Sequence, residues 1–407
     1  MRDRARRAIS ECKHIATMSE EPDRITRRFL TPPVHQVHAH LRARMEAMGM
    51  TIRVDAAGNL CGLWQPAGAR GARLIMGSHI DTVPNAGAYD GILGVALALE
   101  WVALAQELAL PLALEVIAFS EEEGVRFGVP FIGSRVVAGR FDTALLEFKD
   151  SDGVTMEQAI LDYGLDPHCI AEAAVDDDAL GFVEIHVEQG PVLDSGGLSV
   201  AAVSAIMGQT RLSLKFTGQA NHAGTTPMRL RRDALTAAAE WVTAVETYAI
   251  ATEGLVATIG KFAVDPNASN VIPGVAQLSL DVRHPDDTAR NDAVDVLLAK
   301  TSAIGARRGL TTICVREMDQ PAVPMDERLT AFVTEAIDAC GFRVKTMPSG
   351  AGHDAMVMAA RMPAAMLFLR SPGGISHHPA ETVLEEDVEA ALHVGRKFLQ
   401  RLTAESR

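Results

Sequence analysis

Cysteine is scarce in this chain, and what there is does not pair. The five thiols, Cys12, Cys61, Cys169, Cys314 and Cys340, are odd in number, widely spaced and free of any C-x-x-C. That argues against a disulfide framework or a zinc knuckle and for a reducing, cytoplasmic setting. Positive charge is also short: 38 basic residues face 52 acidic ones, a formal net charge of -14. An acidic surface disfavours nucleic acid and anionic membranes as partners, although a local site can still take a small anion. No apolar run reaches the roughly 18–20 residues of a membrane span. The start, Met1-Arg-Asp-Arg-Ala-Arg-Arg, has no apolar stretch of signal-peptide length, and acidic residues follow too soon for a transit peptide. Repeats, low-complexity stretches, G-x-G-x-x-G, a Walker motif, H-E-x-x-H and a G-x-S-x-G elbow are all missing. Asp194-Ser-Gly-Gly reads as a turn and not as a serine-nucleophile motif.

What remains is a chain of 407 residues, 48% hydrophobic, enough for one large or two ordinary domains. Helical spacing of Val34, Val37, Leu41 and Met45 behind Pro32-Pro33 predicts a helix from Pro32 to about Met48. Strands are expected at Thr51–Val54 and Leu60–Trp64 around Ala57-Gly58-Asn59, at Leu74–Met76 running into His79, and at Leu114–Phe119. A buried helix is expected over Gly91–Leu108. Strand, helix, strand with polar residues at strand ends is the α/β pattern. The middle differs. It reads as strands over 210–217, 255–262, 277–282 and 311–315, with helices over 233–249 and 291–305, the second capped by Asn291. Two helices on one antiparallel sheet make an α+β unit. The reading is therefore an inserted lid domain at 211–326 interrupting a catalytic domain at 1–210 and 327–407.

Five segments carry candidate metal ligands: Gly77-Ser-His79-Ile-Asp81, Tyr89-Asp90-Gly91, Ser120-Glu-Glu122-Glu123-Gly124, Glu184-Ile-His186-Val-Glu-Gln189 and Ser376-His377-His378. Imidazoles and carboxylates together suit a pair of divalent cations, with one carboxylate able to bridge and open positions left for water. His79 and Asp81, two apart at a strand end, share a face, so Asp81 can orient the imidazole. Asp90 reads alone as a helix cap, but nine residues after Asp81 it reads better as a bridging ligand. Among adjacent glutamates one can bind metal while its neighbour moves a proton. Glu184, His186 and Glu188 form a polar strand face that wants a reason. His222 can supply an oxyanion donor, and Asn270 with Arg283 can clamp a carboxylate. The bland alternatives are a surface histidine and a structural arginine.

Taken in order, several stretches resemble one family. They are Gly77-Ser-His-Ile-Asp-Thr-Val, Phe119-Ser-Glu-Glu-Glu-Gly, His186-Val-Glu-Gln-Gly-Pro-Val, His222-Ala-Gly-Thr-Thr-Pro-Met, Pro266-Asn-Ala-Ser-Asn-Val-Ile-Pro-Gly, Ser349-Gly-Ala-Gly-His-Asp-Ala and Gly373-Gly-Ile-Ser-His. The chain is similar to the dinuclear-metal amidohydrolases of the M20 peptidase superfamily. Its branch there holds allantoate amidohydrolase, N-carbamoyl-L-amino acid hydrolase and β-ureidopropionase. The resemblance implies one metal at His79, Asp90 and His186 and another at Asp90, Glu123 and His377, with His378 a neighbouring alternative to the last. It implies Glu122 as general base, Asp81 beside it, and Gln189, His222, Asn270, Arg283 and the Gly352 backbone as substrate contacts. It also implies two divalent ions per subunit, zinc or manganese, with cobalt and nickel also compatible, and a homodimer through the lid, with His222 able to act in trans. The substrate implied is a small anionic ureido compound. Gly208-Gln-Thr-Arg-Leu, Gly124-Val-Arg-Phe and Leu369-Arg-Ser-Pro-Gly-Gly look most similar to allantoate amidohydrolases, ahead of carbamoylases and ureidoglycolate amidohydrolase. A non-catalytic metal-binding protein of the same fold is the contrasting reading. It predicts loss of a ligand or of the base, and none is lost.

Overall fold

The computed structural model describes residues 1–67, 69, 73–176 and 178–405. The last two positions of the expected catalytic domain, 406 and 407, lie outside the described residues. The chain packs as two compact units: Met1–Ser204 together with the chain from Met325 onward, and Ala205–Pro324. The division falls six residues before 211 and two before 327, because the strand Gly208–Thr217 belongs whole to the second unit.

In the first unit a twisted sheet runs in the order Thr51–Val54, Leu60–Trp64, Leu114–Phe119, Arg73–His79, Ala179–Val187, Ala364–Leu369 and Val200–Ile206. Four central strands are parallel: Leu114–Phe119 to Arg73–His79 to Ala179–Val187 to Ala364–Leu369. Every residue of Leu114–Phe119 and of Ala364–Leu369 is buried, as expected for parallel strands covered on both faces. Helix Ile92–Glu107, with 13 of its 16 residues buried, packs on these strands. Because the four strands are parallel, their C-terminal ends share one edge. His79, Ser120, Val187 and Arg370 lie at or just past it.

The two longest helices that went unread in the sequence are Arg2–Ala16 and Glu385–Glu405. Arg2–Ala16, read only as a charged start, buries a stripe of Ala5, Ala8, Cys12 and Ile15. Its Arg4 and Arg7, with Arg44, surround the buried Glu100 at 2.7, 3.2 and 2.9 Å. The charges that hid this helix are what fasten it, since a buried carboxylate needs such partners. Glu385–Glu405 closes the unit and packs on Arg2–Ala16 and on Ile92–Glu107.

The second unit is an antiparallel sheet in the order Phe262–Asp265, Val275–His284, Gly208–Thr217, Thr311–Gln320, with Val256–Thr258 also on Val275–His284. Helices Ala234–Ala251 and Asp287–Arg308 pack on it around Trp241 and Leu297. Two expectations are corrected here. The stretch 255–262 is not one strand but two short ones, broken at Ile259–Lys261. The second helix starts at Asp287, and its cap is Asp286, whose carboxylate accepts the Ala289 N–H at 2.8 Å, not Asn291. Its first turn includes the buried Arg290, paired with Asp319 at 3.1 Å, and a buried arginine does not read as core in a sequence.

Candidate metal centre

The shared strand edge places the predicted ligands together. His79 is the last residue of its strand, and its Nδ1 donates to the Asp81 carbonyl at 3.0 Å. His186 Nδ1 donates to the Val187 carbonyl at 2.8 Å. A carbonyl only accepts, so each Nδ1 carries its proton and Nε2 is the nitrogen left for something else. Those two Nε2 atoms face each other at 3.4 Å. Asp90 Oδ1 lies 3.5 Å from the first and 3.2 Å from the second. That oxygen is buried with no hydrogen-bond partner among the described residues. Two lone-pair nitrogens and an orphaned carboxylate oxygen around one point fit a cation.

The other oxygen of Asp90 faces a second set. His377 Nε2 lies 3.3 Å from Asp90 Oδ2 and 3.3 Å from Glu123 Oε1. The ligand atoms of His79, Asp90 and His186 lie within 4.8 Å of one another, and so do those of Asp90, Glu123 and His377. Of the two adjacent histidines it is His377 that faces the cluster. His378 is exposed, and its Nδ1 accepts the Ala380 N–H at 3.1 Å. Close packing is required at Gly91, which opens the buried helix at φ 67°: a Cβ there would lie 2.5 Å from the His79 ring.

Asp81 is buried and organises the glutamates by their backbone. Its Oδ1 accepts the Glu122 N–H at 2.9 Å and its Oδ2 the Glu123 N–H at 3.0 Å. Glu122 side chain, Glu123 side chain and His79 also converge within 4.8 Å. Burial first, then the like charges of Glu123, Asp354 and Asp81, push Glu122 well above the usual carboxylate range, with His79 opposing. Asp90 goes the other way. Burial resists its ionisation, but the imidazoles of His186, His377 and His79 gathered around it hold it well below that range. The cluster thus demands positive charge close by.

That demand gives a pH-dependent expectation. The hydrogen bonds to Asp90, then to Glu123, raise the His377 imidazole to about 10. Below that pH it is protonated, and a cation at Asp90, Glu123 and His377 must displace the proton. Affinity at this position is therefore expected to rise about tenfold per unit of increasing pH through the neutral range, from this proton alone. Titration of metal-free protein with Mn²⁺ at several pH values checks it. An affinity flat with pH would contradict the assignment of His377.

Gln189 lies at φ 59°, its N–H bonded to Ser371 Oγ at 3.0 Å, and its amide donates to Asp90 Oδ2 at 3.0 Å. Gly352 abuts the same region, since a Cβ there would lie 2.8 Å from Phe131, whose own N–H donates to the Glu122 carbonyl at 3.0 Å. Asp194 is not in a plain turn. It lies in the short helix Val192–Gly196 and accepts the Gly373 N–H at 3.0 Å, anchoring the glycine loop that leads to His377.

Glu184, read in the sequence only as part of a polar strand face, and three residues given no role there complete the centre. Glu184, fully buried, accepts from Ser78 Oγ and from the Ala355 N–H, both at 2.8 Å. His353 bonds Ser349 Oγ at 2.9 Å and packs 4.5 Å from the His186 ring. Glu184, His186 and His353 also cluster, but His186 has already committed Nδ1 to a carbonyl and Nε2 to the Asp90 side. Arg27, 1% exposed, donates to the carbonyls of Ile80, Ile15 and Met18 and so fixes the segment carrying Asp81. Glu381 holds the segment of Asp90. The only signal for it was its place four residues after His377.

In the second unit, Asn221–His222 pairs with Val271–Ile272, and the Ala223 N–H donates to the Asn270 carbonyl at 3.0 Å, so His222 and Asn270 are neighbours. His222 Nδ1 accepts from Gly224 N at 3.0 Å and Thr225 N at 3.2 Å, which leaves the proton on Nε2. This ribbon extends the ladder from its Thr217–Val275 end, where the Gly218 N–H donates to the Gly274 carbonyl at 2.8 Å. Arg283 lies at the opposite end, paired with Gln209, and its guanidinium bonds Asp281 at 2.9 Å. The eight residue-to-residue steps from Val275 to Arg283 span about 26 Å. The expected clamp of Asn270 with Arg283 is therefore not formed within one chain. Sequence spacing of thirteen residues hid a strand that runs the length of the sheet between them.

A model of peptidase family M20/M25/M40 matches residues 75–401. The chain is 35% identical to the allantoate deiminase of Arabidopsis thaliana, over 97% of this chain and 81% of that one. It is 34% identical to the N-carbamoyl-L-amino acid amidohydrolase of Geobacillus stearothermophilus, over 91% of each. Among solved structures, an amidase of the hydantoinase/carbamoylase family from Burkholderia multivorans matches with a TM-score of 0.91 at 31% identity, over 98% of this chain and 97% of that one.

Proposed function

The chain belongs to peptidase family M20/M25/M40, and from that premise we propose that allantoate is its substrate. The enzyme is an amidohydrolase of ureido C–N bonds; in this reading hydrolysis of one ureido group of allantoate leaves ureidoglycine or, after further loss of ammonia, ureidoglycolate, with release of ammonia and carbon dioxide. The observation that carries the chemistry is Asp90, whose two oxygens face two separate ligand sets. In this reading His79, Asp90 and His186 would hold one divalent cation and Asp90, Glu123 and His377 the other, with Asp90 common to both sets. Zinc and manganese suit the mixed imidazole and carboxylate donors, as do cobalt and nickel. Such ions supply Lewis acidity toward a carbonyl and acidify water.

The chain's own residues do the rest. Glu122, close to both ligand sets and raised in pKa, takes a proton from water and returns it to the leaving nitrogen. Asp81 fixes Glu122 and Glu123 through their backbone N–H groups. The Nε2–H of His222 donates to the developing oxyanion. Asn270 and Arg283 hold the substrate carboxylate, and Gln189 and the Gly352 backbone complete the pocket.

Because Asn270 and Arg283 lie so far apart in one chain, they reach one small molecule only from two copies. The reading is therefore a homodimer through the unit Ala205–Pro324, with His222 acting in trans. That unit exposes Met228, Leu230, Ile250 and Ile313 by 73, 66, 82 and 53%. These side chains are available to contacts with a second copy. An N-carbamoyl-L-amino acid is the second reading, favoured by the nearly equal identity of the Geobacillus relative. No helix of the described residues is long and apolar enough to cross a membrane. We place the enzyme in the cytoplasm, with no nucleic acid or membrane partner.

Ammonia release by metal-loaded protein, with allantoate and a panel of N-carbamoyl-L-amino acids at equal concentration, tests the assignment. Faster turnover of allantoate is the expected result. Faster turnover of a carbamoyl amino acid replaces the substrate and keeps the site. Inactivity on both, with metals bound, overturns the reading.

A further inference from the structure

Glu381 is 6% exposed and lies on no helix or strand, yet it holds the two loops that meet at the metal centre. Its Oε1 accepts two backbone N–H groups, from Tyr89 and from Asp90, both at 3.0 Å. Its Oε2 accepts from Ser376 Oγ at 3.4 Å, and the same hydroxyl lies 3.5 Å from Asp90 Oδ2. Ser376 immediately precedes His377. A tight turn brings the carboxylate back to this point, with the Glu381 N–H donating to the His378 carbonyl at 2.9 Å. The loop before Asp90 closes on it so tightly that a Cβ at Gly87 would lie 2.4 Å from the Glu381 Cβ. One carboxylate therefore fastens the backbone of Asp90 on one side and the residue before His377 on the other.

The two ligand sets depend on this unequally. His79 and His186 are each fixed by a backbone carbonyl next to them in sequence, at 3.0 and 2.8 Å, without Glu381. Among the described residues His377 has no such anchor: it is exposed and sits at φ 53°. Its orientation comes from its own loop, and Ser376 joins that loop to Glu381. We infer that Glu381 is a positioning residue that makes the Asp90–Glu123–His377 set competent for its cation, while the His79–Asp90–His186 set stands largely without it. The inference rests on the two-cation reading above.

Loss of a group that orients a ligand typically costs about 10- to 100-fold in metal affinity. Glu381→Ala is accordingly expected to weaken the second of two Mn²⁺ equivalents by about that factor and to leave the first within roughly threefold. Calorimetric titration of the full-length metal-free protein, with metal content measured after dialysis, reads both equivalents. Glu381→Gln keeps an oxygen that can accept both N–H groups and is expected to fall between Ala and wild type. Ser376→Ala cuts only the link toward His377. It keeps the test open if Glu381→Ala does not fold, and it too is expected to weaken the second equivalent alone. Both equivalents unchanged in Glu381→Ala, or both weakened alike in these variants, would overturn the inference. A wild-type protein that takes up one cation overturns instead the two-cation reading beneath it.

Discussion

Glu122→Gln protein is expected to retain its metals and lose turnover by roughly 100- to 10,000-fold in kcat, the usual contribution of a positioned proton-transfer group. Glutamine keeps the size of the side chain and an oxygen, so packing at this buried position is preserved. The bond from the Glu122 backbone to Asp81 is untouched. What goes is the ability to accept a proton. Glu123→Gln is expected to behave differently, because Glu123 and not Glu122 converges with Asp90 and His377. That variant should lose metal occupancy together with activity. Metal content and kcat measured on both separate the roles. If Glu123→Gln keeps full metal and loses activity while Glu122→Gln loses metal, the two glutamates have been assigned in the wrong order. If Glu122→Gln retains full activity, no proton transfer passes through it.

Residues at strand ends carried most of the centre's legibility. An apolar strand such as Leu114–Phe119 that stops in three glutamates announces an edge of a parallel sheet, and parallel strands bring all such ends to one side. The five distant segments holding His79, Asp90, the glutamates, His186 and His377-His378 could therefore be gathered, while the choice of Glu123 and of His377 within them came from the family resemblance. Glu381 and Arg27 could not, because each acts on backbone groups of another loop, and that kind of contact leaves no periodic trace in the sequence. The N-terminal helix was lost for a related reason. Its arginines look like a solvated run until Glu100, buried in the middle of an apolar helix, is seen to need them. In the second unit the elements were legible but their lengths were not. Val275–His284 extends beyond its apolar alternation at both ends, and that extra length is what carries Arg283 away from Asn270.

This separation supplies the second large effect. His222→Ala and Arg283→Ala are each expected to be nearly inactive as purified homodimers, since every site then lacks its oxyanion donor or its carboxylate clamp. If the two residues reach a given site from different copies, mixing the variants restores function. In a two-fold dimer of one His222→Ala and one Arg283→Ala chain, one site collects both defects and the other collects neither. Random reassortment at equal amounts makes about half the dimers mixed, so activity recovers to about a quarter of wild type. Arg283→Ala and Asn270→Ala should complement in the same way. His222→Ala and Asn270→Ala should not, because those two neighbours travel together on one ribbon. The measurement is ureido hydrolysis before and after co-refolding or co-expression, with each variant alone as the baseline. Recovery in the first two mixtures and none in the third fits a site shared between copies. If no mixture recovers while mixed dimers demonstrably form, one chain supplies all three residues, and the ladder distance between Val275 and Arg283 must then be overcome by a rearrangement within the unit.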